Sequence, residues 1–208
     1  MARTASLMDL MRAIVADDTE TVSQLLDASP DLASAALTEG ATRQGAKGYW
    51  LEEIGHYVYQ GDTALHVAAA AYRHKIAGKL IDSGADVRAR NRRGAEPLHY
   101  AADGGPGSSS WNPQAQAATI DVLIAAGADP NALENSGVAP LHRAVRTRCA
   151  GAVLALLQGG ANIRLKNKSG STAMRLATLT TGRGGSGSAE AKAQQAEIVR
   201  LLKQHGAR

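Results

Sequence analysis

One phrase returns along this chain at a fixed distance: Gly61-Asp62-Thr63-Ala64-Leu65-His66, Gly94-Ala95-Glu96-Pro97-Leu98-His99, Gly137-Val138-Ala139-Pro140-Leu141-His142 and Gly170-Ser171-Thr172-Ala173-Met174-Arg175. The starts lie 33, 43 and 33 residues apart, so the unit is 33 residues with one stretched copy. Each phrase is followed by two stretches of helical apolar spacing. The copies close on phrases such as Ser83-Gly84-Ala85-Asp86-Val87, Ala126-Gly127-Ala128-Asp129-Pro130 and Gly159-Gly160-Ala161-Asn162-Ile163. A period of this size marks a chain built by stacking one small unit, because no single copy can bury its apolar face alone.

The phrase has a local physical meaning. In Glu96-Pro97-Leu98-His99 and Ala139-Pro140-Leu141-His142 the proline opens a helix, where its missing N–H costs nothing, and the leucine after it enters the core. The glycine of each closing phrase follows an apolar helix end, where a left-handed cap is wanted. Opening and closing phrases in register over residues 61–208 resemble the ankyrin repeat. The resemblance implies an all-α solenoid of helix-turn-helix units joined by hairpin loops. It also implies that His66, His99 and His142 tie each turn to a neighbouring backbone rather than carry chemistry.

With no Phe and only five Tyr and two Trp, the interior has to be built from Ala, Leu, Ile and Val, which suits thin, closely stacked helices. The single cysteine, Cys149, excludes an internal disulfide and provides no pair for a metal site. The beginning of the sequence, Met1-Ala2-Arg3-Thr4, lacks the apolar run of a secretory leader, and no apolar stretch is long enough to cross a bilayer. The expectation is a soluble, cytoplasmic protein with no cofactor.

Before Gly61 a degenerate first repeat is expected, with helices around Leu7–Ile14 and Val22–Leu26 separated by Asp17-Asp18-Thr19-Glu20. The outer-helix leucines Leu25, Leu80, Leu123, Leu156 and Leu201 leave insertions of 22, 10, 0 and 12 residues beyond the 33-residue period. The sequence thus divides into a first cap at about 6–29, an inserted finger at 30–60, and repeats at 61–93, 94–136 and 137–169. A last cap follows at 170–208. Two Gly-rich loops, 103–114 and 180–190, interrupt the third repeat and the last cap.

The finger ends in a segment, 48–59, that carries four of the seven aromatics: Tyr49, Trp50, Tyr57 and Tyr59. Rings concentrated in an insertion read as a contact surface, since Tyr and Trp dominate binding energy at interfaces. The competing reading is that the finger folds back and uses Trp50 and Tyr57 to cover the first repeats. Trp111, alone in a polar loop, should either pin that loop or meet a partner. Gly184-Gly185-Ser186-Gly187 follows a helix and lacks a Gly-Lys-Ser/Thr pattern, so it reads as a connector and not a phosphate loop.

Charge is divided along the chain. Residues 1–60 hold 4 basic and 9 acidic residues, whereas residues 61–208 hold 19 basic and 10 acidic. Basic residues gather at Arg88-Ala89-Arg90-Asn91-Arg92-Arg93, at Arg164-Leu165-Lys166-Asn167-Lys168, and at Arg143, Arg146 and Arg148. In the register that the resemblance supplies, Tyr59, Gln60, Asp62, Arg92, Arg93, Ala95 and Asp103 line the concave groove. Asn135, Ser136, Val138, Arg146, Thr147, Lys168 and Ser169 continue it. A groove basic at its centre attracts acidic or phosphorylated segments. Nucleic acid is disfavoured, because the aromatics are not interleaved with the basic positions.

The candidate catalytic residues are sparse. Glu53 and His56 stand at i and i+3, His74 and Cys149 stand alone, and metal chemistry needs about three ligands held together. The resulting expectation is a non-catalytic interaction module. It would bind an unidentified protein of acidic surface through Tyr49, Trp50, Tyr57, Tyr59, Asp62, Arg92, Arg93, Asp103, Trp111, Arg146 and Lys168. The alternative is a small-ligand or catalytic pocket closed by the finger and the Gly-rich loops, which predicts an enclosed space containing His56 or Trp111. Self-association through the opposed charges is a third possibility.

Overall fold

A computed structural model describes residues 6–107, 110–179 and 188–207. The chain runs as five antiparallel helix pairs. The inner helices are α1 (Leu7–Val15), α3 (Ala64–Ala70), α5 (Pro97–Ala101), α7 (Pro140–Thr147) and α9 (Ala173–Thr178). The outer ones are α2 (Thr19–Ala28), α4 (His74–Asp82), α6 (Pro113–Ala125), α8 (Ala150–Gln158) and α10 (Ala189–Gln204). Inner helices stack on inner helices from α1 through α9, and α4, α6, α8 and α10 stack behind them.

Small side chains make this stacking possible. In α3, Ala64, Ala68 and Ala69 are fully buried, which lets the neighbouring backbones approach closely. Leu65, Leu80, Leu98, Leu123 and Leu156 supply the volume between layers. Each fully buried leucine is worth about 1.5–3 kcal/mol relative to an exposed one. In the first repeat Leu26 rather than Leu25 is buried, because α2 packs on α1 and on a 3-10 turn at Pro30–Ala33 instead of on α4. The outer helices end as anticipated. Gly84, at φ 94°, adopts the left-handed conformation that lets the Ala85 amide reach back to the Leu80 carbonyl at 2.9 Å.

The phrase histidines form one repeated device. In each repeat Nδ1 accepts the backbone N–H of the residue three positions earlier, at 3.1 Å for His66, His99 and His142. Because Nδ1 accepts, the proton lies on Nε2, which donates to Ala95 O, Val138 O and Leu165 O respectively, each at 3.1 Å. Each of these three histidines therefore closes its own helix start; His66 and His99 bolt it to the next repeat, and His142 ties it to the closing segment of its own repeat. The hairpin tips between repeats are turns too short to form strands. They join through single backbone bonds, such as Arg92 N to Gln60 O at 2.9 Å and Asn135 N to Arg93 O at 2.9 Å.

Two insertions interrupt the stack before its last repeat. The finger is zipped at its base: Leu37 N bonds Asp62 O at 2.9 Å, and Ala41 N bonds Val58 O at 2.8 Å. Gly40 is required there, since a Cβ would lie 2.4 Å from the Tyr59 carbonyl carbon. Its tip is a hairpin of β1 (Trp50–Leu51) and β2 (His56–Tyr57), turned at Gly55, which has φ 59°. The loop of the third repeat ends at Asn112, whose side chain caps α6. Ser188 caps α10 directly, so the last loop closes before residue 189. The Gly184-Gly185-Ser186-Gly187 segment lies outside the described residues.

Candidate functional site

Strand alternation decides how the finger presents its rings. Trp50 pairs with Tyr57 on one face of the hairpin and Leu51 with His56 on the other. Leu51 and Val58 are buried in the core, so the finger does fold back, but on these aliphatic residues. Trp50 and Tyr57 stay 41% and 38% exposed, with ring centroids 4.5 Å apart. Tyr49 is half-buried and its hydroxyl donates to Glu39. Burial and the neighbouring Glu39 carboxylate, in that order, raise its pKa.

Tyr59 lies where finger and groove meet. The Arg93 guanidinium stands 4.2 Å and that of Arg92 5.1 Å from its ring centroid, and Arg92 Nη2 also donates to Ala41 O at 2.7 Å. In three dimensions aromatic and basic residues are therefore adjacent here, unlike in the linear order, although the arginines occupy the ring of Tyr59. A depression of about 310 Å³ runs beside this stack, bounded by Arg43, Tyr57, Tyr59, Arg92 and Arg93.

Arg92 and Arg93 also border a larger open depression of about 480 Å³, completed by Glu134, Asn135, Ser136, Val138, Arg143 and Arg146. Four arginines face it against one carboxylate. That carboxylate is occupied, because Glu134 Oε1 accepts the Ser136 and Val138 amides at 3.0 and 3.2 Å. Arg146 is exposed on α7, while Lys168 is exposed at the next tip with Nζ on Asn135 O. Arg143, placed among the basic residues but not in the predicted groove lining, is a wall of it. Its i, i+3 spacing to Arg146 on one helix face was the signal that could have placed it there.

Three expected contact residues serve the fold. Asp62 is fully buried: its carboxylate accepts Tyr59 N at 2.7 Å, Asn91 Nδ2 at 2.8 Å and Tyr100 Oη at 3.1 Å. Asn91 completes this network through its side-chain oxygen to Arg93 N and Ala95 N, and Ala95, predicted to line the groove, is buried with it. Trp111 is half-buried and donates to Gln116 Oε1 at 2.9 Å, so the ring pins its own loop. Asp103 bonds outward to Arg143 Nη1 at 3.3 Å, while its carbonyl accepts Tyr72 Oη and Gln116 Nε2.

His56 behaves differently from the phrase histidines. It packs edge-on against Tyr100 at 4.9 Å, its Nε2 is buried with no bonding partner, and burial pushes its pKa down. It borders a cavity of about 180 Å³ shared with Ile54, Tyr72, Tyr100, Asp103, Gly104 and Ser110. Glu53 is exposed in a 3-10 turn, Glu52–Ile54, that the left-handed Gly55 ends before His56, so the two are not i and i+3 of one helix. His74 is half-buried at the start of α4. Cys149 is buried with Sγ on Gln116 Oε1 at 2.9 Å, and burial raises its pKa, the opposite of an activated thiol. Among the described residues no group of three or more His, Cys, Asp or Glu is placed to hold a metal, and no helix is long and apolar enough to cross a membrane.

The stacked helix pairs, the histidine bolts and the hairpin tips define a repeat solenoid, and the chain belongs to the ankyrin-repeat family. Residues 10–109 match the family described as ankyrin repeats in 3 copies, and residues 123–177 match ankyrin repeats in many copies. Mouse ankyrin repeat and SOCS box protein 16 is 40% identical over 114 residues, covering 54% of this chain and 24% of that protein. Zebrafish neurogenic locus notch homolog protein 1 is 31% identical over 140 residues, 56% of this chain and 6% of that protein. The E3 ubiquitin-protein ligase KEG of Arabidopsis thaliana is 34% identical over 102 residues, 48% of this chain and 6% of its own length. The chain thus spans a quarter or less of these relatives. What they share with it is the repeat, a unit that generally serves protein–protein interaction.

Proposed function

We propose that this chain is a non-catalytic interaction module whose concave groove takes an acidic segment of a partner protein, with the aromatic finger extending the contact. One observation carries the reading: Arg92, Arg93, Arg143 and Arg146 face a single depression whose one carboxylate is already bonded to backbone amides. A rigid stack presents those charges without further ordering, and their shared field steers an acidic partner. The depression beside Tyr59 joins the groove to Tyr57 through the same two arginines, so a bound segment can run from one to the other. The test is fluorescence anisotropy with a labelled hexaglutamate peptide, repeated on a protein in which Arg92, Arg93 and Arg146 are all replaced by Glu. Binding that weakens with salt and vanishes in the triple variant supports the reading; unchanged binding removes it.

A second reading, a small-ligand pocket, is favoured by the unpartnered His56 Nε2 beside the cavity of about 180 Å³ between finger and loop. A space of that size admits only a small molecule, which would accept or donate one hydrogen bond at the ring. Thermal melting with imidazole, glycerol and acetate separates the two: a shift lost in His56→Phe supports the pocket, and no shift with any of them counts against it.

A further inference from the structure

The groove concentrates more positive charge than a carboxylate partner requires. Arg143 and Arg146 stand one turn apart on α7, and Arg92 and Arg93 approach from the turn between the second and third repeats. The Arg143 side chain is only 14% exposed, and Nη1 forms one ion pair, to Asp103 at 3.3 Å. Its Nε is buried and without a partner. A buried guanidinium N–H without an acceptor is destabilising, and native proteins offset such groups with ordered water or a bound acceptor.

We propose that this depression holds a phosphorylated side chain, with Arg93, Arg143 and Arg146 as its donors, an inference that rests on the acidic-partner reading and narrows it. A carboxylate offers one negative charge and two oxygens, both of which a single guanidinium fork can engage. A phosphate monoester carries about −1.5 to −2 charge and three terminal oxygens. That is the complement of several guanidinium groups around one space, each able to engage two oxygens through its planar fork.

The experiment follows arginine Nε–Hε correlations in isotope-labelled protein during titration with inorganic phosphate, acetate at matched ionic strength, hexaglutamate, and a pentapeptide with one central phosphoserine. The expected result is a saturable shift of Arg143 with phosphate and with the phosphopeptide, the peptide binding more tightly, and an affinity for acetate at least about tenfold weaker. Replacing the exposed Arg93 and Arg146 by Gln leaves the fold intact and weakens phosphate binding by about tenfold or more. Equal response to phosphate and acetate overturns the assignment. Equal affinity for free phosphate and the phosphopeptide overturns the side-chain assignment in favour of a free-phosphate site. If hexaglutamate shifts Arg92, Arg93 and Arg146 while phosphate leaves Arg143 unmoved, the phosphate inference falls and the acidic-partner reading stands. If none of the probes moves any of these arginines, both fall.

Discussion

His99 Nε2 donates to the carbonyl of Val138, 39 residues further along, at 3.1 Å, and the ring is fully buried. The two bonds together require a neutral imidazole, since Nδ1 accepts the Glu96 N–H while Nε2 donates. Burial, helped by Arg143, pushes the His99 pKa down to about 3, and burial lowers His66 and His142 as well.

Acid should therefore unfold this solenoid through its histidines. The unfolded imidazole titrates near 6.5 and the folded one near 3, so between these values the unfolded state binds more protons. The stabilisation is complete above pH 6.5 and is lost as pH falls toward 3. For His99 alone the loss reaches roughly 4–5 kcal/mol at the acid end, at about 1.4 kcal/mol per pKa unit. Urea unfolding at pH 7, 5 and 4 checks it. His99→Gln keeps a donor for Val138 but does not titrate, so its stability should fall less steeply with acid; parallel curves would show that His99 is not the sensor.

Gln116 should be among the most costly residues to remove. It is fully buried, receives Trp111 Nε1 and Cys149 Sγ on its oxygen, and gives its Nε2 to Ala101 O and Asp103 O. Gln116→Ala leaves several of these groups without partners, a loss of about 2–4 kcal/mol in unfolding free energy. Trp111 would report it directly through a red-shifted emission. An unchanged melting temperature with unchanged emission would mean that the loop is held by something else.

The stack was legible in the sequence because its signals are local and repeated: the phrase spacing, proline at helix starts, glycine at helix ends. Even the histidines' structural service followed from the family resemblance. What was not legible is which groove-register residue turns inward. Asp62 occupies a position that projects into the groove in the generic register, but Asn91 and Tyr100, 29 and 38 residues away, offer it a buried network. Arg143 shows the converse, a residue outside the generic lining brought to the groove by one helical turn. The finger lay between these cases. Its alternation of Trp50, Leu51, His56 and Tyr57 contained the answer, but only the turn at Gly55 sets which pairs face each other.

Asp62 thus gives a structural prediction in place of a binding one. Asp62→Ala strips acceptors from Tyr59 N, Asn91 and Tyr100 in a buried site, which should cost about 2–4 kcal/mol and loosen the base of the finger. Calorimetry or chemical denaturation measures the loss, and hydrogen exchange should accelerate at Ala41 and Val58. If stability holds and only hexaglutamate binding drops, Asp62 acts at the partner after all.

Trp50 and Tyr57 make the opposite prediction. Their backbones are paired in the hairpin, but the rings lean on each other at the surface while Leu51 and Val58 anchor the finger beneath them. Trimming both rings to Ala removes one exposed aromatic pair, which should lower stability by no more than about 1 kcal/mol. Rings that contribute so little to folding while keeping their faces in water are suited to a contact made with another molecule. The double variant should melt within a few degrees of the parent, yet bind acidic peptides that extend past Tyr59 at least about tenfold more weakly, with shorter peptides confined to the arginine depression unaffected. Long and short peptides losing affinity alike would place the effect in the groove itself, and a large fall in melting temperature would show that the pair holds the finger down.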